Sequence, residues 1–143
     1  MDQRMITNAL GNLTRIEDCL EVIYDLIQTK GYATAVDIAE RLDVKIPSVT
    51  GMIQKLDAMG LVHYERYRGL SLTDKGEKMA KYAQRKHALI LKFLQLLGIE
   101  EKTANEDADG FEHHVHNATL SHIERFIDFV NDHPSWFKTF EKS

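Results

Sequence analysis

Apolar residues recur at three- and four-residue spacing along much of the chain, as they do on the buried face of an α-helix. The first three such stripes predict helices over residues 13–28, 35–42 and 46–59. On the second helix, the residues predicted to face inward are Val36, Ala39 and Leu42. Gly31 is placed to end the first helix. Pro47 falls in the first turn of the third, where a missing N–H group costs no hydrogen bond.

The pattern then changes to that of short strands. Residues 61–65 and 70–72 are rich in strand-forming side chains, and they flank a basic turn that Gly69 closes. This arrangement predicts a β-hairpin. Thr73 is a suitable N-cap for a long helix that reaches Leu97 and ends at Gly98.

Helical periodicity returns in the last third of the chain. It predicts helices over residues 102–117 and 119–131, the second beginning with a capping box from Ser121 to Glu124. The last dozen residues, which include Trp136, receive no assignment.

The order of these elements is that of a winged helix–turn–helix. We therefore expect a mainly α fold with two domains. Residues 13–73 form a winged helix–turn–helix with a β-hairpin wing, and residues 74–143 form a helical domain. A plain helical pair with a solvated polar face remains the alternative.

Composition narrows the class of protein. The chain has 143 residues, 43% hydrophobic composition and few glycines and prolines, which is typical of a globular protein. It has no apolar run of bilayer length, and its N-terminus lacks the apolar core of a signal peptide. One cysteine, Cys19, excludes an intramolecular disulfide and a thiolate-rich metal site. We expect a cytoplasmic protein with no membrane partner.

The formal net charge of −4 hides an uneven distribution. Residues 41–86 carry ten basic and five acidic side chains, whereas residues 1–40 and 100–143 are both acidic. The basic stretch coincides with the predicted helix–turn–helix and wing, and it suits a polyanion such as DNA. The candidate DNA-contacting residues are Lys45, Ser48, Thr50 and Gln54 on the recognition helix and Arg66 and Arg68 on the wing.

A second kind of chemistry is concentrated in residues 106–116. Helical spacing places Asp109, Glu112 and His113 on one face, with Glu106 and His116 near it. Carboxylates and imidazoles together suit Mn²⁺ or Fe²⁺, with Zn²⁺ also compatible. By themselves, the carboxylates of the first helix favour a solvated acidic face, and a lone histidine such as His87 favours a structural role.

The whole chain resembles the manganese-sensing repressors of the diphtheria-toxin-repressor family. The matching segments are residues 16–24, 30–33, 37–40, 47–50, 54–57, 67–70, 72–76 and 110–114. The resemblance implies a homodimer, formed through the C-terminal domain, that binds double-stranded palindromic operators and represses metal-uptake genes. It implies Mn²⁺ as cofactor, one or two ions per subunit, with Fe²⁺, Co²⁺, Cd²⁺ or Zn²⁺ as substitutes.

Carried over by position, the family's metal ligands fall on Asp18, Glu21, His87, Asp109, Glu112 and His113. Two positions depart from the family pattern. Asp109 stands where the manganese sensors usually have Glu, and Gly51 stands where a longer polar residue is common. These departures leave metal stoichiometry and operator preference open.

Two alternatives belong to different classes of protein. One is a winged-helix regulator that responds to iron or to another ligand. The other is a metalloenzyme in which the same carboxylates and imidazoles activate water. Because the sequence has no nucleophile motif and no glycine-rich phosphate loop, we expect no catalytic residues and no small organic substrate.

Overall fold

The computed structural model describes residues 3–65 and 69–143, with side chains from residue 15 onward. The chain divides into two units, Met1–Ala83 and Gln84–Ser143. The N-terminal unit contains α1 (Gln3–Lys30), α2 (Ala35–Leu42), α3 (Ile46–Ala58), β1 (Val62–Glu65) and β2 (Gly69–Leu72). Helix α4 (Asp74–Leu96) begins in this unit and continues into the next.

The N-terminal unit closes around the apolar face of α1. Leu20 and Ile23 are fully buried there, and Ile38 of α2 and Leu56 of α3 pack into the same cluster. Strands β1 and β2 pair antiparallel, with Val62 opposite Leu72 and Glu65 opposite Gly69. This is the predicted winged helix–turn–helix, and the predicted mainly α fold class is confirmed.

Local sequence signals fix the turns of this unit. The N-cap Thr34 accepts a hydrogen bond from the backbone N–H of Asp37, and Asp43 ends α2 in the left-handed conformation. Thr73 caps α4, because its Oγ1 accepts from the N–H of Gly76 at 3.0 Å. A Cβ added at Gly76 would lie only 1.9 Å from the carbonyl oxygen of Leu61, so only glycine fits this contact.

The C-terminal unit is built from four further elements. They are α5 (Glu101–Phe111), a 3₁₀ turn (Glu112–His114), α6 (Asn117–Asp132) and α7 (Pro134–Glu141). Its core joins Ile90 and Leu94 of α4 to Ala104 and Ala108 of α5 and Leu120 of α6. Edge-to-face contacts of Trp136 with Phe126 and Phe129 hold α7 against α6.

Several sequence-based boundaries are wrong. Helix α1 begins ten residues earlier than its apolar stripe predicts, at Gln3. Val36 is half exposed, not inward-facing. The predicted helix over residues 102–117 ends at Phe111, directly after Gly110, a poor helix former.

The predicted capping box from Ser121 to Glu124 is also wrong. Helix α6 begins four residues earlier, at Asn117, so Ser121 lies inside it. Instead of capping, Glu124 forms an ion pair with Arg85 at 2.6 Å. Among the described residues, no helix combines the length and apolar character needed to cross a membrane.

Candidate metal centre and nucleic-acid interface

The C-terminal unit brings together side chains from three of its elements. His87 lies on α4, Asp109 on α5 and Glu112 at the start of the 3₁₀ turn. The Nδ1 atom of His87 is 3.0 Å from a carboxylate oxygen of Glu112 and 3.3 Å from one of Asp109. Potential ligand atoms of these three residues all lie within 4.8 Å of one another, a spacing that can hold a metal ion.

The adjoining core explains why these residues meet. His87 is one turn before Ile90 on the same face of α4, and Ala104 and Ala108 form the buried face of α5. Because α4 and α5 contribute to one buried cluster, Asp109, which follows Ala108, comes close to His87. Sequence spacing alone does not predict this proximity, since His87 and Glu112 are 25 residues apart.

Glu112 is the most unusual side chain of the cluster. Only 2% of it is exposed, and its second carboxylate oxygen lies 3.4 Å from Nε2 of His113. Buried carboxylates require partners, and here each oxygen faces an imidazole nitrogen. By contrast, the Asp109 side chain is 72% exposed.

The hydrogen bond to Glu112 raises the pKa of His87 to about 9. Burial acts in the opposite direction, while the negative charges of Glu112 and Asp109 and a hydrogen bond to Asn105 add to the increase. At neutral pH, His87 therefore holds a proton where a cation could be bound instead. Asn105 lies one turn before Asp109 on α5, but nothing in its spacing marks it as part of the site in the sequence.

Other residues of the predicted cluster do not join this group. Glu106 and His116 are exposed, and His116 is the N-cap of α6. Helix α5 contains Glu106 but ends before Glu112 and His116, so helical spacing does not place the three on one face. On α1, Asp18 and Glu21 are both half-buried.

The recognition helix α3 presents most of its predicted contact residues to the surface. Lys45 is its N-cap, and Lys45, Ser48, Thr50 and Gln54 are all exposed. Arg66 and Arg68 lie outside the described residues. Ser48 and Asp18 line the same cavity of about 310 Å³ within the N-terminal unit, so α1 and the first turn of α3 border a common space.

Comparison with known proteins identifies the class. Residues 13–70 match the family described as iron dependent repressor, N-terminal DNA binding domain, and residues 73–136 match its metal binding and dimerisation domain. The chain therefore belongs to the iron-dependent repressor family, as a metal-dependent, DNA-binding repressor with its own dimerisation domain. Since this is a family of repressors, the metalloenzyme alternative is excluded, and the predicted family resemblance is confirmed.

Individual proteins similar to this chain narrow the comparison further than the family does. The chain is 43% identical over 128 residues to the HTH-type transcriptional regulator MntR of Lysinibacillus sphaericus (strain C3-41), covering 90% of this chain and 92% of that protein. Among solved structures, it is similar to the manganese regulator SloR, with 32% identity and a TM-score of 0.72 over 80% of this chain. ScaR with bound Zn²⁺ gives 33% identity and a TM-score of 0.69 over the same share. The chain spans about half the length of these two solved chains (54% of each).

Proposed function

We propose that this repressor responds to Mn²⁺ through six ligands. They are Asp18, Glu21, His87, Asp109, Glu112 and His113. The observation that carries the proposal is the buried Glu112 carboxylate, with one imidazole nitrogen facing each of its oxygens. Asp18 and Glu21 enter the set through the family resemblance of α1.

The donor set supports the choice of metal. It consists of carboxylate oxygens and imidazole nitrogens without a thiolate, a combination that suits Mn²⁺ and Fe²⁺. The similarity to the manganese regulator SloR favours Mn²⁺, and one or two ions per subunit fit the number of ligands. Fe²⁺, Co²⁺, Cd²⁺ and Zn²⁺ are expected substitutes, and ScaR with bound Zn²⁺ supports the last of these.

The ligands come from both proposed domains, the DNA-binding domain over residues 13–73 and the dimerisation domain over residues 74–143. A divalent cation held by all six would join the two domains. In a dimer, the joined conformation would set the distance between the two recognition helices. Because metal and DNA would then favour the same conformation, each would tighten binding of the other.

The proposed DNA partner is a palindromic operator upstream of metal-uptake genes, bound in the cytoplasm. Two-fold symmetry of the dimer calls for half-sites about 34 Å apart, one turn of DNA, or a multiple of that distance. The proposed contact residues are Lys45, Ser48, Thr50, Gln54, Arg66 and Arg68. Their basic members suit phosphate oxygens, and the polar ones suit base edges.

Duplex selection from a random library, with the full-length chain and Mn²⁺, supplies a binding site for the test. Anisotropy with the selected duplex then gives its affinity for the chain in chelator and in increasing Mn²⁺, Fe²⁺, Co²⁺, Zn²⁺ or Cd²⁺. We expect tight binding with Mn²⁺ and at least hundredfold weaker binding in chelator. Equal affinity under both conditions would contradict metal control, and a response to Fe²⁺ alone would contradict the choice of Mn²⁺.

Two matched pairs of variants test the ligands. Glu112→Gln and Asp18→Asn should each shift the Mn²⁺ midpoint at least tenfold upward, because each removes a negatively charged ligand. The control for Glu112→Gln is Glu106→Gln, an exposed carboxylate of α5. The control for Asp18→Asn is Asp25→Asn, a carboxylate of α1 that pairs with Arg41. Both controls should keep the normal midpoint.

A further inference from the structure

The outward face of the recognition helix is unusually bare. Val49 and Leu56 are buried and fix the inward face of α3. At about 100° per residue, the opposite stripe consists of Pro47, Gly51, Gln54 and Ala58. Gln54 is the only member of this stripe whose side chain can form hydrogen bonds.

Neither backbone conformation nor packing within the chain requires glycine at position 51. It lies inside α3, its φ is not positive, and a Cβ added there would meet no atom within 4 Å. A glycine inside a helix costs about 1 kcal/mol relative to alanine. A surface outside the chain that approaches the helix backbone closely would account for the missing side chain.

On one side of the stripe, two exposed residues present methyl groups, while the other side carries Ser48 and Lys55. The Thr50 hydroxyl donates a hydrogen bond to the carbonyl oxygen of Ile46 at 3.2 Å, so its hydrogen is used within the helix. Ile46, the first residue of α3, is 47% exposed. Exposed apolar groups at the start of a recognition helix suit the 5-methyl group of thymine, the apolar group that base pairs display in the major groove.

We propose that α3 reads A·T base pairs, a specificity that rests on the proposed DNA contact. Gln54 pairs with the N6 and N7 atoms of an adenine, and Thr50 and Ile46 pack their methyl groups against thymine methyls. Gly51 lets the helix backbone seat closely in the groove. The outward stripe has no arginine or lysine, the side chains that most often read guanine.

The first test uses the Mn²⁺-loaded full-length chain and the duplex selected from the random library. We expect A·T pairs at the positions under α3 in each half-site. Replacing each thymine by uracil, which lacks only the methyl group, should weaken binding about fourfold at contacted positions. Selected half-sites with G·C pairs there, or affinity insensitive to every uracil replacement, would overturn the proposal. Failure to bind any duplex would instead contradict the proposed function.

A pair of nearly isosteric variants separates methyl contact from hydroxyl contact at Thr50. Thr50→Ser removes the methyl group and should weaken binding about fourfold. In this variant, the uracil replacement at the thymine that Thr50 contacts should cause no further loss of affinity. Thr50→Val removes the hydroxyl and should keep near-normal affinity. The reverse order, with valine the weaker binder, would show that Thr50 acts through its hydroxyl and would overturn its assigned role.

Gly51→Ala gives two readouts of opposite sign. The variant should unfold at a higher temperature, since alanine stabilises the helix, and should bind the selected duplex at least fourfold more weakly. Gln54→Ala should lose about fivefold to hundredfold of the preference for adenine at one position per half-site. Unchanged affinity in Gly51→Ala, or unchanged base preference in Gln54→Ala, would refute that part of the proposal.

Discussion

The two units of the chain differ in how many apolar residues they bury and in whether they bury a charge. Among the described residues, the cluster around Leu20 contains fourteen buried apolar residues, and the cluster around Ile90 contains five. The smaller unit also buries the Glu112 carboxylate and leaves Phe111 and Trp136 about half exposed. Apolar burial is the main stabilising contribution to a fold, and a buried charge needs partners. The C-terminal unit therefore gains less from apolar burial than the N-terminal unit, and it must also provide partners for a buried charge.

The largest expected effect follows from adding the metal. At a free Mn²⁺ concentration a thousandfold above Kd, linkage predicts a stabilisation of about 4 kcal/mol. We expect hydrogen exchange to slow in α5 and α6 far more than in α2 and α3, because four of the six proposed ligands belong to the C-terminal unit and neither α2 nor α3 carries one. Equal slowing in both units would show that the two do not differ in their dependence on metal.

Gly76→Ala should destabilise the N-terminal unit by about 3 kcal/mol, because the added Cβ would collide with the Leu61 carbonyl and helix α4 would have to shift. Urea denaturation followed by circular dichroism measures the loss. Gly110→Ala is the matched control, since a Cβ at Gly110 meets no atom within 4 Å. The control should be neutral or more stable by up to about 1 kcal/mol. Similar losses in both variants would contradict the packing argument.

The proton on His87 makes the stability of the C-terminal unit depend on pH in the neutral to alkaline range. Its pKa is raised from 6.5 to about 9 in the folded chain. The metal-free fold therefore gains stability from this proton that is fully present below pH 6.5 and is lost as pH rises through about 9. If His87 is a ligand as proposed, Mn²⁺ must displace this proton, and its affinity should then rise by up to tenfold per pH unit below 9. An NMR titration of His87 checks this, and a midpoint near 6.5 would contradict it.

The smallest expected effect is that of the ion pair between Arg85 and Glu124. Both side chains are largely exposed, at 63% and 41%, so water screens their attraction. A double-mutant cycle with Arg85→Ala and Glu124→Ala should give a coupling of about 0.2–1 kcal/mol. A coupling well above that range would mean that surface charge, and not the small core, stabilises the C-terminal unit.

The fold was largely predictable because its signals are local. Apolar periodicity, the Thr73 cap and the hairpin turn each depend on neighbours in sequence, and helix α2 was predicted with its observed bounds. The end of α5 was not, since the 3₁₀ turn after Phe111 interrupts a periodicity that continues in the sequence. Helix α7 was missed because its aromatic residues pack mainly against α6, a tertiary contact.

The candidate site was less accessible to sequence reasoning. The spacing of Asp109, Glu112 and His113 predicted that they share one helix face. In the structure, Glu112 lies close to His113 and to His87, and His87 also lies close to Asp109. His87 itself could be assigned only through the family resemblance, because a lone histidine in a long helix carries no pattern. Its meeting with Glu112 depends on the buried cluster that α4 and α5 share, which joins residues distant in sequence.

Cys19 has a practical consequence for following this protein. It is fully buried, and burial together with the negative charge of Asp18 raises its pKa to about 12. A thiol that is both protonated and inaccessible does not react with alkylating reagents in the folded chain. Because Cys19 is the sole cysteine of the sequence, its rate of alkylation measures how often the DNA-binding unit opens locally and exposes its interior.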